Sequence, residues 1–526
     1  MVNLISVIAN SGLVLLHFSL FFAFYLFLQT KKNVYMYIKK IEKKTYLMLL
    51  FIVLLGGFVR LNVSPFSDSI DSVGWEYMYI GDKITKLDAF YYSHPHRTLG
   101  YPLFIAMAAM IFGHDYYNIF YMNIIFGMAN IAMVFFLVYI YFNNSRLALL
   151  ASLFFAVYYY IVRYSAVNSA NQVFFFFIFS GLIIFWIALK EKKINLILLA
   201  VILFSIIPSI RYEFYPVSII FVAYLLFFSK ARLNKKKSLL FFSLFIFLLI
   251  PAVSCSINGF EAVSSDAVFD SGKTGIKNSQ ILTLGRIKDN IPELISLNLL
   301  FIKYMGVLFI PAVIGLFCFF NKKNLKIYSR QMCIFTILFF MQMLVYLFSR
   351  LDYRFANFAK PPLLIIYCVF IYLGLEFLAH IANKMFRKPK KYLFSIFLLL
   401  FFIMPVSNAI SYDKIVIKDS LIVSDFINLI KNTDPDTYII VDDEYFIQRL
   451  IPFLPNTKLI FFSEASKEVI ANIAAEGSEI ILIRMCQLNE EGHSKIIYCT
   501  ENINLDDYNA KLIRKEGRVG LYHVIG

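Results

Sequence analysis

Residues 67–82 read SDSIDSVGWEYMYIGD, and residues 94–102 read HPHRTLGYP. The first stretch sets carboxylates among aromatic rings, and the second contains an arginine followed by a Gly-Tyr-Pro turn. Strongly apolar runs flank both stretches. Carboxylates beside a membrane, with cations gathered on the same side, suit chemistry on a lipid-linked phosphate. The arrangement of the flanking runs therefore decides where such chemistry would sit.

The composition is that of a protein that crosses a membrane many times. Of the 526 residues, 60% are hydrophobic and only 16% are charged, which is more apolar surface than a soluble domain buries. The net charge of +16 is concentrated in lysine-rich connectors, which indicates membrane topology rather than nucleic-acid binding. The six cysteines show no CxxC or Cys/His spacing, so the sequence predicts no zinc site.

Apolar runs of about 20 residues predict helices that span the bilayer. The sequence predicts twelve such spans, at 4–28, 46–63, 117–142, 146–164, 172–189, 194–209, 216–228, 238–255, 298–320, 331–348, 361–384 and 392–410. The apolar run at 101–112 is too short to span, and we expect it to lie as a helix at the outer surface.

The distribution of lysine predicts the orientation of these spans. By the positive-inside rule the lysine-rich connectors face the cytoplasm, at 30–45, 190–193, 229–238, 321–330 and 384–391. The alternate connectors then lie outside, at 64–116, 165–171, 211–215, 256–297 and 349–360. Both termini face outward, and the first span is predicted to be uncleaved. The abundance of Phe, Ile and Lys is typical of an AT-rich bacterial genome, which predicts a multi-pass protein of the plasma (inner) membrane.

The chain from about 413 onward differs in kind from the rest. Strand-like segments alternate with helix-like ones, at 438–441, 446–453, 459–462, 466–475 and 480–483. This βαβαβ pattern predicts a small, largely parallel sheet with covering helices. No glycine-rich phosphate loop follows a strand, so nucleotide binding is not predicted. The fold class is thus a polytopic α-helical membrane domain, 1–412, with a small extracytoplasmic α/β domain, 413–526. Cys486 and Cys499 fit either a disulfide in an oxidising compartment or two unpaired thiols.

The outer acidic loop admits two interpretations. Its carboxylates belong to Asp68, Asp71, Glu76 and Asp82. They fit a solvated acidic loop, or a catalytic segment packed at the membrane interface. The interleaved Trp75 favours the second interpretation, because aromatic rings prefer that interface. A carboxylate partly removed from water there would be a better general base near neutrality.

Cations on the same predicted face form the second half of the candidate site. They are Arg97, Arg211, Arg354 and Lys360. Each one alone fits a cation that snorkels to the interface. Several together, opposite an acidic loop, favour binding of phosphate, because arginine forks pair with phosphate oxygens bidentately.

These features resemble the GT-C superfamily of polytopic glycosyltransferases, which use polyprenyl- or dolichyl-phosphate-linked sugars. Members carry an acidic residue in the first large outer loop, then a tyrosine and a small residue, then an Arg-x-Pro-Gly-Tyr-Pro-like turn that opens a surface helix. The segments that carry the resemblance are 71–81, 97–102, 211–212 and 352–361. The resemblance covers about 410 residues and is strongest with the branch of protein mannosyltransferases and aminoarabinose transferases.

Three departures from the family pattern stand out. Leu99 replaces the usual proline of the turn. Asp71 stands about two residues too far from Tyr77, which leaves Asp68 and Glu76 open as the functional carboxylate. Where a glutamate is frequent in the family, residues 168–172 read NSANQ.

The resemblance implies an inverting transfer of a hexosyl or pentosyl group at the outer face. Asp71, with Asp68 and Glu76 as alternatives, would deprotonate the acceptor hydroxyl. The phosphate of the donor would be bound by Arg211, Arg354, Lys360 and Arg97. The substrate loop would include Tyr77, Tyr79 and Tyr101.

The resemblance also implies the partners. The donor would be a polyprenyl-phosphate-linked sugar among membrane lipids, and the acceptor a glycolipid, polysaccharide or protein; no nucleic acid is implied. No residues call for a cofactor or metal, although a divalent cation bridging Asp71 and the phosphate stays open.

Two other function classes compete with this hypothesis. A polymerase or ligase for lipid-linked oligosaccharides would use a similar basic pocket, but its reactive loop would be the long one at 256–297, which has no histidine. A flippase or transporter for lipid-linked sugars would be expected to show internal repeats and midplane charges. The sequence shows no convincing repeat, and most charges lie at the ends of spans.

Overall fold

The computed structural model of the chain comprises two compact units, one of helices and one of strands. The residues it describes are 2–62, 77, 80–81, 84–85, 98–113, 117–158, 161–162, 165, 170–211, 214–229, 234–250, 306–348, 360–386, 390–411, 438–441, 458–461, 480–488, 497–499, 510–516 and 519–524. The predicted domain boundary at 412/413 lies outside these residues.

The helical unit contains every helix of the described residues that exceeds eight residues. These are α1 Val2–Ile38, α2 Lys43–Asn62, α3 Gly100–Phe112, α4 Tyr117–Phe142, α5 Ser145–Val157, α6 Asn171–Glu191, α7 Ile194–Ile210, α8 Tyr215–Ala223, α9 Lys235–Leu248, α10 Phe309–Phe319, α11 Lys322–Phe348, α12 Lys360–Phe386 and α13 Lys390–Ser411. A π-helical turn, Tyr224–Phe228, continues α8.

Several of these helices are long and apolar enough to cross a membrane. Within the described residues five meet that standard, or six if a bent pair counts as one span. The pair is Gly306–Phe319 and Lys322–Met341, whose axes differ by 107°. Four other predicted spans correspond to shorter apolar helices. The chain is therefore an integral membrane protein, and the count of twelve spans stays a prediction.

Several helices depart from the predicted spans. Helix α1 continues to Ile38, ten residues beyond its predicted end and into the predicted connector 30–45. Helix α11 begins at Lys322 rather than at 331, so the predicted connector 321–330 is mostly helical. Lysine, leucine and arginine are good helix formers, and the helix continues through them beyond its apolar part. Helix α5 ends at Val157, although the apolar run extends to 164, because Tyr158 has an extended backbone.

Helix α6 lies at the centre of the helical unit. Its residues are buried almost all round, as expected for an interior helix that is apolar on every side. The ring of Phe155 on α5 packs edge-on against Phe175 and Phe179 of α6. Lys192, in the left-handed region at φ 55°, ends α6, and α7 follows at once as its antiparallel neighbour.

A buried arginine joins α2 to α5. Arg60 is fully buried, and its Nη1 donates hydrogen bonds to the carbonyl oxygens of Gly56 and Ala156, both at 3.0 Å. Its Nη2 donates to the carbonyl of Phe155 at 3.3 Å, and its Nε donates to the hydroxyl of Ser165 at 3.0 Å. The guanidinium thus satisfies carbonyls in the last turn of α5, which have no partner within their own helix.

Glycine makes room for this arginine. A Cβ at position 127 on α4 would stand 2.6 Å from Arg60 Nε and 2.8 Å from Ser165 Oγ. The absent side chain therefore lets α4 pack directly on the hydrogen-bonded pair.

Glycines also fix the crossing of α10 and α12. A Cβ at Gly315 would collide with the carbonyl of Phe370, and a Cβ at Gly374 would collide with the carbonyl of Pro311. The two backbones therefore touch, as small residues allow between membrane helices.

The strand unit is a mixed sheet. Its strands are β1 Tyr438–Val441, β2 Lys458–Phe461, β3 Ile480–Leu488, β4 Ile497–Cys499, β5 Ala510–Glu516 and β6 Val519–Val524. The order is β2-β1-β3-β6-β5, and β4 pairs with β3. Strands β1, β2 and β3 pair in parallel, and the first of them has its predicted bounds.

The expectation of a largely parallel sheet is wrong for its second half. Strands β4, β5 and β6 pair antiparallel, and only residues 517–518 separate β5 from β6. A two-residue connection can join antiparallel strands but not parallel ones. The helices predicted at 446–453 and 466–475 lie outside the described residues.

The sheet register bears on whether Cys486 and Cys499 form a disulfide. Cys486 on β3 and Cys499 on β4 are register partners. The Cα atoms of directly opposed antiparallel residues are about 4.5–5.5 Å apart, a separation that a disulfide can span. The disulfide stays a prediction, favoured by this register.

We predict that Gly374→Ala destabilises the protein while Gly181→Ala does not. A methyl group at 374 has to displace the backbone of α10, which costs about 2 kcal/mol, whereas a Cβ at 181 would meet only side chains at 3.5–3.6 Å. Thermal unfolding in detergent, followed by size exclusion, measures both. Equal melting temperatures for the two variants would contradict the close crossing.

We further predict that Arg60→Met lowers the free energy of unfolding by about 2 kcal/mol or more, because buried acceptors lose their donor. Arg60→Lys should fall between, since an ammonium lacks the guanidinium fork. The matched control is Arg146→Met on α5. The side chain of Arg146 is 57% exposed and forms an ion pair with Glu376 at 3.5 Å. Such an exposed pair contributes little to the free energy of unfolding. Thermal unfolding in detergent measures both variants. If Arg146→Met lowers the stability as much as Arg60→Met does, the hydrogen bonds of Arg60 do not have this stabilising role.

Candidate functional site

Some predicted site residues are described and others are not. Tyr77, Tyr101 and Arg211 are described, and Lys360 is the first residue of α12, with its side chain outside the description. The remaining ones lie outside the described residues, namely Asp68, Asp71, Glu76, Tyr79, Arg97 and Arg354. The described geometry therefore concerns residues next to the acidic loop in sequence, together with Arg211, and not the carboxylates of the loop.

The predicted Gly-Tyr-Pro turn lies on the end of α7. The hydroxyl of Thr98 donates a hydrogen bond to the carbonyl of Ile210 at 2.8 Å. A Cβ at Gly100 would stand 2.5 Å from the carbonyl oxygen of Ser209, so only glycine fits against that backbone. Two segments that are more than 100 residues apart in sequence, the turn and the residue before Arg211, are thus held together.

The short helix α3 continues from this turn. Its 13 residues span about 20 Å, less than the hydrocarbon thickness of about 30 Å. The hydroxyl of Tyr101 accepts a hydrogen bond from Asn123 Nδ2 at 3.1 Å, and Tyr101 is fully buried. Met110 and Ile111, on the opposite face, are exposed. Tyr101 therefore anchors α3 to α4.

The small residue after the first tyrosine of the motif also packs on α3. A Cβ at Gly81 would stand 2.7 Å from Ile105 Cγ2 and 3.2 Å from the carbonyl of Pro102. Tyr77 is itself buried, four residues earlier. The small residue of the motif therefore serves packing on α3.

Arg211 meets the beginning of α6. It follows α7 in an extended conformation, and its Nη2 donates to Asn171 Oδ1 at 3.0 Å. Asn171 is the first residue of α6, and no side chain of the preceding residue caps that end. The N-terminal turn of a helix carries amide N–H groups and partial positive charge. Together with the half-buried guanidinium it makes a pole that favours an anion.

Buried amide side chains support this pole, although the sequence alone did not identify them as site residues. Asn130 Nδ2 on α4 donates to the backbone carbonyl and to Oε1 of Gln172, at 2.8 and 3.0 Å. Gln172 Nε2 donates in turn to the carbonyl of Ile161 at 2.8 Å. An amide side chain within an apolar span is the sequence signal that could have identified them, because such a side chain is costly in a membrane unless it has a hydrogen-bond partner.

The two ends of α6 are chemically different. At the end opposite Asn171, Tyr37 donates to Glu191 at 2.7 Å, and Lys193 Nζ donates to Asn33 at 2.5 Å. This is the end with the lysine-rich connector 190–193. Arg211 therefore stands a full helix length from those lysines.

In the part of the chain that the structure describes, no three His, Cys, Asp or Glu side chains are grouped to hold a metal ion. The acidic loop at 67–82 falls almost wholly outside that part, so the divalent cation at Asp71 remains an open alternative.

A known protein family matches the part of the chain that contains the turn and Arg211. A family model described as dolichyl-phosphate-mannose-protein mannosyltransferase matches residues 93–255, which include the turn, α3, Asn171 and Arg211. No curated protein sequence matches the chain.

Solved structures match along nearly the whole length. The crystal structure of ArnT from Cupriavidus metallidurans bound to undecaprenyl phosphate is 9% identical, with a TM-score of 0.55 over 92% of this chain and 99% of that one. The apo structure of the same protein is 10% identical, with a TM-score of 0.51 over 91% and 98%. At such identities the likeness is one of fold. Together with the family-model match over residues 93–255, this fold supports the resemblance of the chain to the GT-C superfamily of membrane glycosyltransferases.

Proposed function

We propose that the protein transfers a sugar from a polyprenyl-phosphate-linked donor to an acceptor hydroxyl at the extracytoplasmic face of the plasma membrane. The observation that carries the proposal is the contact of the Thr98–Gly100 turn with the end of α7, immediately before Arg211. That contact sets the predicted boundary of the acidic loop beside a cationic pole.

The donor phosphate would bind at this pole. Arg211 offers its guanidinium charge, and the beginning of α6 adds the partial positive charge of the helix dipole. Arg97, Arg354 and Lys360 would complete the set. The solved ArnT structure with undecaprenyl phosphate supports a lipid of this class, because that protein has the same fold.

The reaction would be a single displacement. A carboxylate of the acidic loop, Asp71 in the first instance, accepts the proton of the acceptor hydroxyl as its oxygen bonds to the anomeric carbon. The bond from that carbon to the phosphate oxygen breaks, and its electron pair stays on the polyprenyl phosphate. The cations stabilise this departing phosphate, and the anomeric centre is inverted.

The strand unit would bind or orient the acceptor. Its position after the last helix, together with the predicted outward C-terminus, would put residues 413–526 on the side of the acidic loop. A small α/β domain there would bind or orient a glycolipid, polysaccharide or protein acceptor.

We predict that one carboxamide variant of the acidic loop abolishes transfer. The variants are Asp71→Asn, Asp68→Asn and Glu76→Gln, and the loss of a general base should cost 10²–10⁴-fold in rate. The measurement is transfer of radiolabel from polyprenyl-phosphate sugars by membranes with matched expression of each variant. If all three variants keep wild-type activity, the loop is not catalytic and the hypothesis fails.

We also predict that Arg211→Gln lowers kcat/KM for the donor by roughly 100-fold, since a charge-stabilising donor is lost from the transition state. Arg211→Lys should recover part of this, because the charge remains without the fork. Arg146→Gln, at the beginning of α5, is the control and should leave the rate unchanged. An Arg211→Gln enzyme with wild-type kinetics would exclude Arg211 from phosphate binding.

A further inference from the structure

An elongated groove separates α11 from α10 and α12, away from the candidate site. It is an open groove of about 460 Å³, lined by apolar side chains such as Phe319, Ile337 and Phe370, with two small polar ones, Ser329 and Thr336. The Gly315–Gly374 crossing holds α10 against α12, and the 107° bend before α11 directs that helix away from α10. The groove therefore follows from the packing of these three helices.

One row of α11 residues leads from the basic end of the helix into this groove. The row is Lys322, Lys326, Ser329, Cys333, Thr336 and Phe340. Steps of three and four residues keep side chains on one face of a helix. The last four line the groove, and both lysines are exposed. The polarity of the row thus changes from cationic through hydroxyl to apolar along the groove.

The basic end of α11 lacks a compensating acidic charge of its own. No Asp or Glu occurs in residues 322–348. Lysines in the first turn also lie at the positive end of the helix dipole, where cations are disfavoured. A bound anion would offset both effects.

The dimensions of the groove match one leaflet. From Ser329 to Met341, the last α11 residue that lines the groove, the helix rises about 18 Å. Half of a hydrocarbon core of about 30 Å is about 15 Å. A groove that is cationic at one end and apolar for the depth of a leaflet has the polarity of a phospholipid.

The groove lies away from the proposed donor pole. The ring of Tyr328, near the basic end, is 6.0 Å from that of Phe142, the last residue of α4. Asn123, which binds Tyr101 of the turn, is near the other end of α4. The two anion-favouring regions are therefore close to opposite ends of one spanning helix.

We propose that this groove binds an anionic phospholipid from the leaflet that faces the lysine-rich connectors. The acyl chains lie along α11 between Ser329 and Met341. The phosphate lies between Lys322 and Lys326. Basic pockets between spanning helices bind anionic head groups by the same charge complementarity.

The test is native mass spectrometry of the purified full-length protein with equal amounts of phosphatidylglycerol and phosphatidylcholine. The wild type should retain phosphatidylglycerol roughly tenfold over phosphatidylcholine, and K322Q/K326Q should lose this preference. The matched control is K235Q/K236Q, which removes two exposed lysines from the beginning of α9, outside the groove. It should keep the preference.

A second measurement locates the acyl chains without any large substitution. Cys333 is exposed and lines the groove. In a variant whose other five cysteines are alanine, phosphatidylglycerol should slow maleimide labelling of Cys333 several-fold. The proposal is overturned by equal retention of both lipids, by an equal loss in the α9 control, by unchanged labelling, or by polyprenyl phosphate protecting Cys333 better than phosphatidylglycerol does.

Discussion

Helices that end within a membrane protein must have their terminal carbonyls satisfied, and the described helical unit depends on how this is done. At the end of α5 the fully buried Arg60 donates to two carbonyls of the last turn. At the end of α7 the hydroxyl of Thr98 donates to the last carbonyl. Both groups of carbonyls are buried away from water, so the side chains that supply their hydrogen bonds also fix which helices meet.

This constraint positions the described residues of the proposed site. Because Thr98 and Gly100 are held on the end of α7, the turn that closes the acidic loop stands next to Arg211. Because Arg211 binds Asn171, the guanidinium lies at the beginning of α6, where a helix favours negative charge. The amides of Asn130 and Gln172 hold that beginning in place. An anion pole therefore results from contacts whose first role is to complete helix ends.

The sequence predicted those features that depend on local pattern. The helix at 117–142 has its predicted bounds, because a long apolar run leaves no other structure in a membrane. The short helix after the Gly-Tyr-Pro turn was also predicted, by length. Arg60 was not, because an arginine three residues from the end of an apolar run has the pattern of a snorkelling cation, and only the tertiary structure brings carbonyls of α5 to it. The apolar pattern also did not predict the start of α11, which depends on helix propensity. Nor did it predict the antiparallel half of the sheet, which depends on the short connection between β5 and β6.

The proposed activity requires that a lipid-linked phosphate binds at the pole beside Arg211. The most direct measurement supplies purified protein in liposomes with the same panel of labelled sugars in two forms, linked to polyprenyl phosphate and linked to a nucleotide. We expect label to be transferred to an acceptor from a lipid-linked form alone. Transfer from a nucleotide-linked form, with none from any lipid-linked one, would contradict it.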